Sequence, residues 1–165
     1  MKFLDFPELP TQSIAEGATT PDPGQGGALA WSTGITPNGL MAWNGTAWNR
    51  VGGSKVATFT FAGTLSVISG AARLYFPTAV TILGISAAVG TAPSGASVVV
   101  DVNKNGTTIF TTQANRPTIA AGTNTDLTNT PDVTTISAND YLTVDVDQIG
   151  SGTAGANLTV TIHYS

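Results

Sequence analysis

No cysteine occurs in the 165 residues, and histidine occurs once. The first absence removes disulfides, cysteine-ligated zinc, iron–sulfur clusters and thiol catalysis. The second removes any site built on a histidine cluster. Charge is scarce too: Asp, Glu, Lys and Arg make up 10% of the chain, against roughly 25% in an ordinary domain. Six scattered basic residues under a net charge of −4 leave no electrostatic footprint for nucleic acid. No stretch approaches the ~20 apolar residues of a membrane-spanning helix, so no membrane insertion is expected. The opening residues Met1-Lys2-Phe3-Leu4-Asp5-Phe6-Pro7-Glu8 do not read as a secretory signal, because Asp5 and Pro7 break the apolar run. A cytoplasmic start is expected.

What is there is a 41% hydrophobic share, 19 Gly, 9 Pro and an excess of Thr. So much apolar content beside so little charge is not the composition of a disordered chain. Residues 1–30 hold Pro7, Pro10, Pro21, Pro23 and the run Gly24-Gln25-Gly26-Gly27. Pro removes backbone donors and Gly raises the entropy cost of ordering, and no helical or strand period survives. This segment reads as an extended arm with apolar beads at Phe3, Leu4, Phe6 and Leu9, suited to anchoring on a partner surface; a plain tail is the alternative. Residues 31–53 hold all three tryptophans, Trp31, Trp43 and Trp48, with turn signals at Pro37-Asn38-Gly39 and Asn44-Gly45. Asn-Gly favours a two-residue hairpin turn because both residues tolerate positive φ. The expectation is a small β-hairpin module with Trp43 and Trp48 flanking its turn, ending in the hinge Gly52-Gly53-Ser54. Exposed Trp faces also suit a glycan, although hairpin packing is their commoner use.

From residue 54 to 165 strand patterns follow one another. Residues 56–61 alternate, with Ala57, Phe59 and Phe61 on the face opposite Val56, Thr58 and Thr60. Residues 65–68 and 73–76 are short candidates. Residues 79–89 form a long apolar run that reads as a strand buried on much of both faces. Residues 96–102 and 107–112 flank the turn Asn103-Lys104-Asn105-Gly106. Residues 133–136, 141–149 and 158–164 complete the series. Turn signals at short intervals without a 3.6-residue period predict an all-β fold, an antiparallel β-sandwich of jelly-roll type. Residues 113–132, rich in Asn, Thr and Pro, are expected as a long exposed contact loop through Asn115, Arg116, Asn124, Asp126 and Asn129.

Chemical motifs are few. Asp101-Val102-Asn103-Lys104-Asn105-Gly106 opens like a calcium loop, but its twelfth position is Thr112 rather than Glu, so a hairpin turn is the better reading. Asp145 and Asp147 share a strand face; a solvated face is expected, and an ion held in an oligomer stays open. His163 has no nucleophile or acid partner in sequence. The sequons at Asn44, Asn105 and Asn157 read as turn chemistry. No catalytic constellation, cofactor site or metal site emerges, and a non-enzymatic protein is expected.

Two segments carry a resemblance. Gly39-Leu40-Met41-Ala42-Trp43-Asn44-Gly45-Thr46-Ala47-Trp48 resembles a short W-x-G-x-x-W module near the start of many tailed-bacteriophage virion proteins. The series running from Thr91-Ala92-Pro93-Ser94-Gly95-Ala96 through Asn103-Lys104-Asn105-Gly106, Arg116-Pro117-Thr118-Ile119 and Asn139-Asp140-Tyr141-Leu142 to Gly155-Ala156-Asn157-Leu158 is similar to the β domains of phage decoration, minor tail and short fibre proteins. The resemblance implies a virion structural protein, assembled in the host cytoplasm and ending in an extracellular particle. Its partners would be itself, as a homotrimer, and the major capsid or tail proteins, with a host surface glycan or protein beyond them. Tyr75, Phe76, Tyr141 and Tyr164 are candidate subunit contacts. A short chain with no shaft points to capsid decoration; the likeness to tail proteins points instead to host attachment by a short tail fibre.

Overall fold

A computed structural model describes residues 29–32, 39–43, 48–50, 54–70 and 72–165. The expected anchoring residues Phe3, Leu4, Phe6 and Leu9 lie outside the described residues. The chain divides into two compact units, Met1–Gly53 and Ser54–Ser165; of the expected hinge, Gly52 and Gly53 lie outside the described residues.

In the first unit, β1 (Leu29–Ser32), β2 (Gly39–Trp43) and β3 (Trp48–Arg50) form a three-stranded antiparallel sheet in the order β1-β2-β3. Trp43 and Trp48 are direct cross-strand partners, and Trp31 stands opposite Leu40. The arm was expected to run through residue 30, but Leu29 and Ala30 already pair with Ala42 and Met41. A two-stranded ribbon is marginal alone, and β1 supplies the third strand that the hairpin needs.

The second unit is an antiparallel β-sandwich. Its strands are β4 (Lys55–Thr64), β5 (Leu74–Tyr75), β6 (Val80–Thr91), β7 (Val98–Lys104), β8 (Thr107–Thr108), β9 (Thr118–Ile119), β10 (Thr125–Asn129), β11 (Thr135–Ile136), β12 (Tyr141–Gln148) and β13 (Ala156–Tyr164). One sheet has the order β10-β6-β13-β4, with β11 also on β6. The other has the order β5-β12-β7-β8, with β9 also on β7. β8 and β9 are two pieces of one edge, interrupted where the chain leaves the sheet; β11 is a short extension. Counted so, eight strands place the first, eighth, third and sixth in one sheet and the second, seventh, fourth and fifth in the other. This is jelly-roll topology. No α-helix occurs among the described residues; a single 3₁₀ turn covers Gln113–Asn115.

Period-two alternation builds the core. Phe59 of β4, Ile82, Ile85, Ala87 and Val89 of β6, and Leu158, Val160 and Ile162 of β13 line one inner face. Val98, Val100 and Val102 of β7 with Leu142, Val144 and Val146 of β12 line the other, and all are buried. Phe110 and Ile109, just past β8, turn in to fill the space between the sheets. Ile109 is held by its amide on the Val102 carbonyl at 2.9 Å.

Three expectations are corrected. Residues 65–68 form no strand: Leu65 enters the core while Ile68 makes a single bridge to Val146. β6 buries one face only. Its other face carries the small residues Gly84, Ser86 and Ala88, partly exposed, and Leu83 is 48% exposed. A central strand can therefore look apolar throughout because its outer residues are small, not because they are covered. Residues 113–132 are not one loop. They contain β9 and β10, tied down by Ile119, which is fully buried, and by the pairing of Thr125 with Ala88 and Asp126 with Ala87.

Candidate functional site

The outer face of the β5-β12-β7-β8 sheet brings three aspartates together with hydroxyl and amide side chains. Alternation along β12 places Tyr141, Thr143, Asp145 and Asp147 outward, opposite the core residues Leu142, Val144 and Val146. The β7 register sets Asp101 against Asp145 and Asn103 against Thr143. Each acid takes a different partner. Asp101 accepts from the Thr108 hydroxyl and the Val102 amide, both at 2.7 Å. Asp145 accepts from the Gly70 amide at 2.6 Å and from Asn103 Nδ2 at 3.0 Å. Asp147 pairs with Arg116. Asp101 is only 8% exposed, and burial is the main force raising its carboxyl above the ordinary range, opposed by the Thr108 hydroxyl.

The calcium-loop reading dissolves in this geometry. Asn105 and Gly106 have φ of +50° and +88° and close a two-residue hairpin, with Lys104 paired to Thr107. Asn105 donates from its side chain to Asp140 and accepts from the Tyr141 amide, while Asn103 goes to Asp145 and Asp101 to Thr108. The three side chains that would ligate an ion are committed to three separate partners. Among the described residues, no group of three or more His, Cys, Asp or Glu converges as a metal site.

Among the described residues, shallow depressions lie on both sheets. One, of about 270 Å³, is lined by Ser69, Gly70, Arg73, Asn103, Tyr141, Thr143 and Asp145, with Gly106 at its rim. Arg73 lies 4.5 Å over the Tyr141 ring, and Tyr75 packs against the same ring at a 5.4 Å centroid separation. Another, of about 290 Å³, lies on the opposite sheet beside Leu83, Leu127 and His163. His163 faces outward on β13, half-buried, its Nε2 3.3 Å from the Ser86 hydroxyl.

The expected contact-loop residues are placed as follows. Asn115 is exposed on the 3₁₀ turn. Arg116 reaches the Gln113 carbonyl and Asp147. Asn124 donates to the Val89 carbonyl at 2.9 Å, Asp126 accepts from the Thr118 amide at 2.6 Å, and Asn129 donates to the Ile85 carbonyl at 3.3 Å. Four of the five side chains thus fasten the segment to the sandwich. Of the aromatic residues taken as subunit contacts, Phe76 is buried and packs edge-on against Tyr164 at 5.4 Å, so this pair serves the core; Tyr75 is 55% exposed. At Asn157, φ is +56° and the side chain accepts from the Gly63 amide at 2.9 Å, which is turn chemistry as read.

Sequence reasoning picked out Asp145 but missed its neighbours. Asn103 was absorbed into the turn signal, and Arg73 sits in a short connection with no motif around it. No family model, curated protein or solved structure matches the chain.

Proposed function

We propose that this chain is a non-enzymatic structural protein of a bacteriophage particle, anchored through its N-terminal segment and displaying the sandwich outward, most simply as a capsid decoration protein. The observation that carries the reading is the jelly-roll order of the second unit, which follows a first compact unit in the chain. Jelly rolls recur in viral capsid and lectin domains; this is an argument from architecture, and the sequence resemblance adds to it. The outer face of the β4-containing sheet supports self-association. It presents Thr58, Thr60, Ser86, Thr159 and Thr161 with no charged side chain between them, beside the exposed Val56 and Leu83. Interface centres are depleted in charge in this way. A homotrimer would form through this face.

Deletion of residues 1–28, which leaves β1 intact, tests the anchor. The truncated chain is expected to fold and to fail to co-purify with particles that incorporate the full chain. Normal incorporation of the truncated chain refutes the anchor. The alternative placement, a short tail fibre used in host attachment, is favoured by the open polar depression around Asp145, since an attachment protein needs a surface that reads a ligand.

A further inference from the structure

We infer that the depression around Asp145 is a binding site for a single pyranose residue of a surface polysaccharide, recognised through a pair of adjacent hydroxyls. Sugar recognition needs acceptors and donors fixed side by side, with an aromatic surface for the C–H face of the ring. Asp145 supplies the acceptors. Its Oδ1 takes the Gly70 amide and its Oδ2 takes Asn103 Nδ2; a carboxylate has about four lone-pair positions, so roughly two remain for sugar O–H groups. Holding Nδ2 on Asp145 fixes the Asn103 amide plane and so the direction in which its Oδ1 accepts. Arg73 contributes guanidinium donors, and among the described residues it has no carboxylate partner. Tyr141 lines the depression and provides its aromatic surface, shared with the Arg73 guanidinium 4.5 Å over its ring.

The site is organised before any ligand arrives. A side chain at Gly70 would press on Thr143 Cβ and Oγ1 at 3.1 Å and on Asp145 Oδ1 at 3.4 Å. Glycine, at φ +34°, lets this backbone lie close against the carboxylate without crowding it. Preorganisation of this kind lowers the ordering cost of binding. The open depression, of about 270 Å³, suits one sugar ring rather than a longer enclosed ligand. Other ligands fit less well. A metal cation would meet one carboxylate and the Arg73 charge. A phosphate would meet one guanidinium and the Asp145 charge.

The site goes beyond the structural role proposed above, and the isolated chain tests it independently of particle placement. The full-length ¹⁵N-labelled protein is titrated with the methyl glycosides of glucose, galactose, mannose and N-acetylglucosamine while amide spectra are recorded. At least one glycoside is expected to give saturable shifts at the Gly70 amide, the Asn103 side-chain amide and Thr143, leaving the Thr58–Thr161 face unmoved. D145N is expected to weaken the binding about tenfold or more, the scale of a lost charge-assisted hydrogen bond. R73A removes an exposed side chain without touching the clamp and should weaken it less; an unchanged melting temperature in R73A separates loss of binding from loss of fold. Absence of shifts at these positions with all four glycosides overturns the site. So does equal binding by wild type, D145N and R73A.

Discussion

At the scale of single residues, the acids are set apart by what surrounds them. Asp132 accepts from the Thr112 amide at 2.7 Å, and that bond holds its carboxyl below the ordinary range. Asp140 is lowered in the same way, first by the Asn105 side chain and then by the Ser137 amide. A carboxyl with a depressed folded pKa contributes stability above its unfolded value, near ~3.9, and loses it as pH falls through that value towards the folded one. Asp101 has the opposite sign. Its folded pKa is raised, so its ionisation opposes folding once pH rises through the unfolded value towards the raised one. D101N keeps an oxygen to accept from Thr108 and Val102. It is expected to raise the urea midpoint at pH 7 and to leave it unchanged near pH 3, where the carboxyl is protonated in both states. A lower midpoint at pH 7 would show that the charge is needed. D132N and D140N should lower the midpoint at pH 7, with the difference shrinking towards pH 3. In the core, Phe110 is fully buried, and F110A is expected to cost about 3–5 kcal/mol in urea unfolding. That is a large share of the ~5–15 kcal/mol a domain of this size holds.

At the scale of elements, the sequence was legible where local chemistry decides. Asn105-Gly106 announces its turn, and the alternation in residues 56–61 and 141–149 announces which residues face the core. It was least legible where partners lie far along the chain. β10 has no strand pattern of its own; Leu127, its single large apolar residue, is exposed, and the strand exists because β6 offers an edge and Asn124 and Asn129 bond to β6 carbonyls. The cradle around Asp145 joins Gly70 to a residue 75 positions away, a separation that no local spacing can reveal. Elsewhere the tight corner at residues 150–155 depends on glycine. A Cβ on Gly150 would overlap the Thr153 carbonyl and crowd the Ser94 amide, whose 2.9 Å bond to that carbonyl closes the corner. G150A is therefore expected to destabilise the sandwich by about 1–3 kcal/mol, read as a lower melting temperature. In contrast, G106A, at φ +88° with open space around it, should cost about 1–2 kcal/mol from backbone strain alone.

At the scale of the molecule, scarce charge is distributed unevenly over the second unit. The sandwich has one apolar interior, a charge-free threonine face on one sheet and a hydrogen-bonded polar face on the other. The second unit contains its own core, so Ser54–Ser165 expressed alone is expected to unfold in one cooperative transition; a broad, non-cooperative melt would show that it depends on the first unit. The fold class was legible from composition and period. The jelly-roll type was legible with it; which strand pairs with which came only from the structure, because it is set by which edges meet. We propose that the chain belongs to the outside of a virus particle. Gold-labelled antibody against Ser54–Ser165, applied to purified intact particles, tests it most directly. Label in many copies across the shell is expected, whereas intact particles that carry no label on shell or tail would refute the placement.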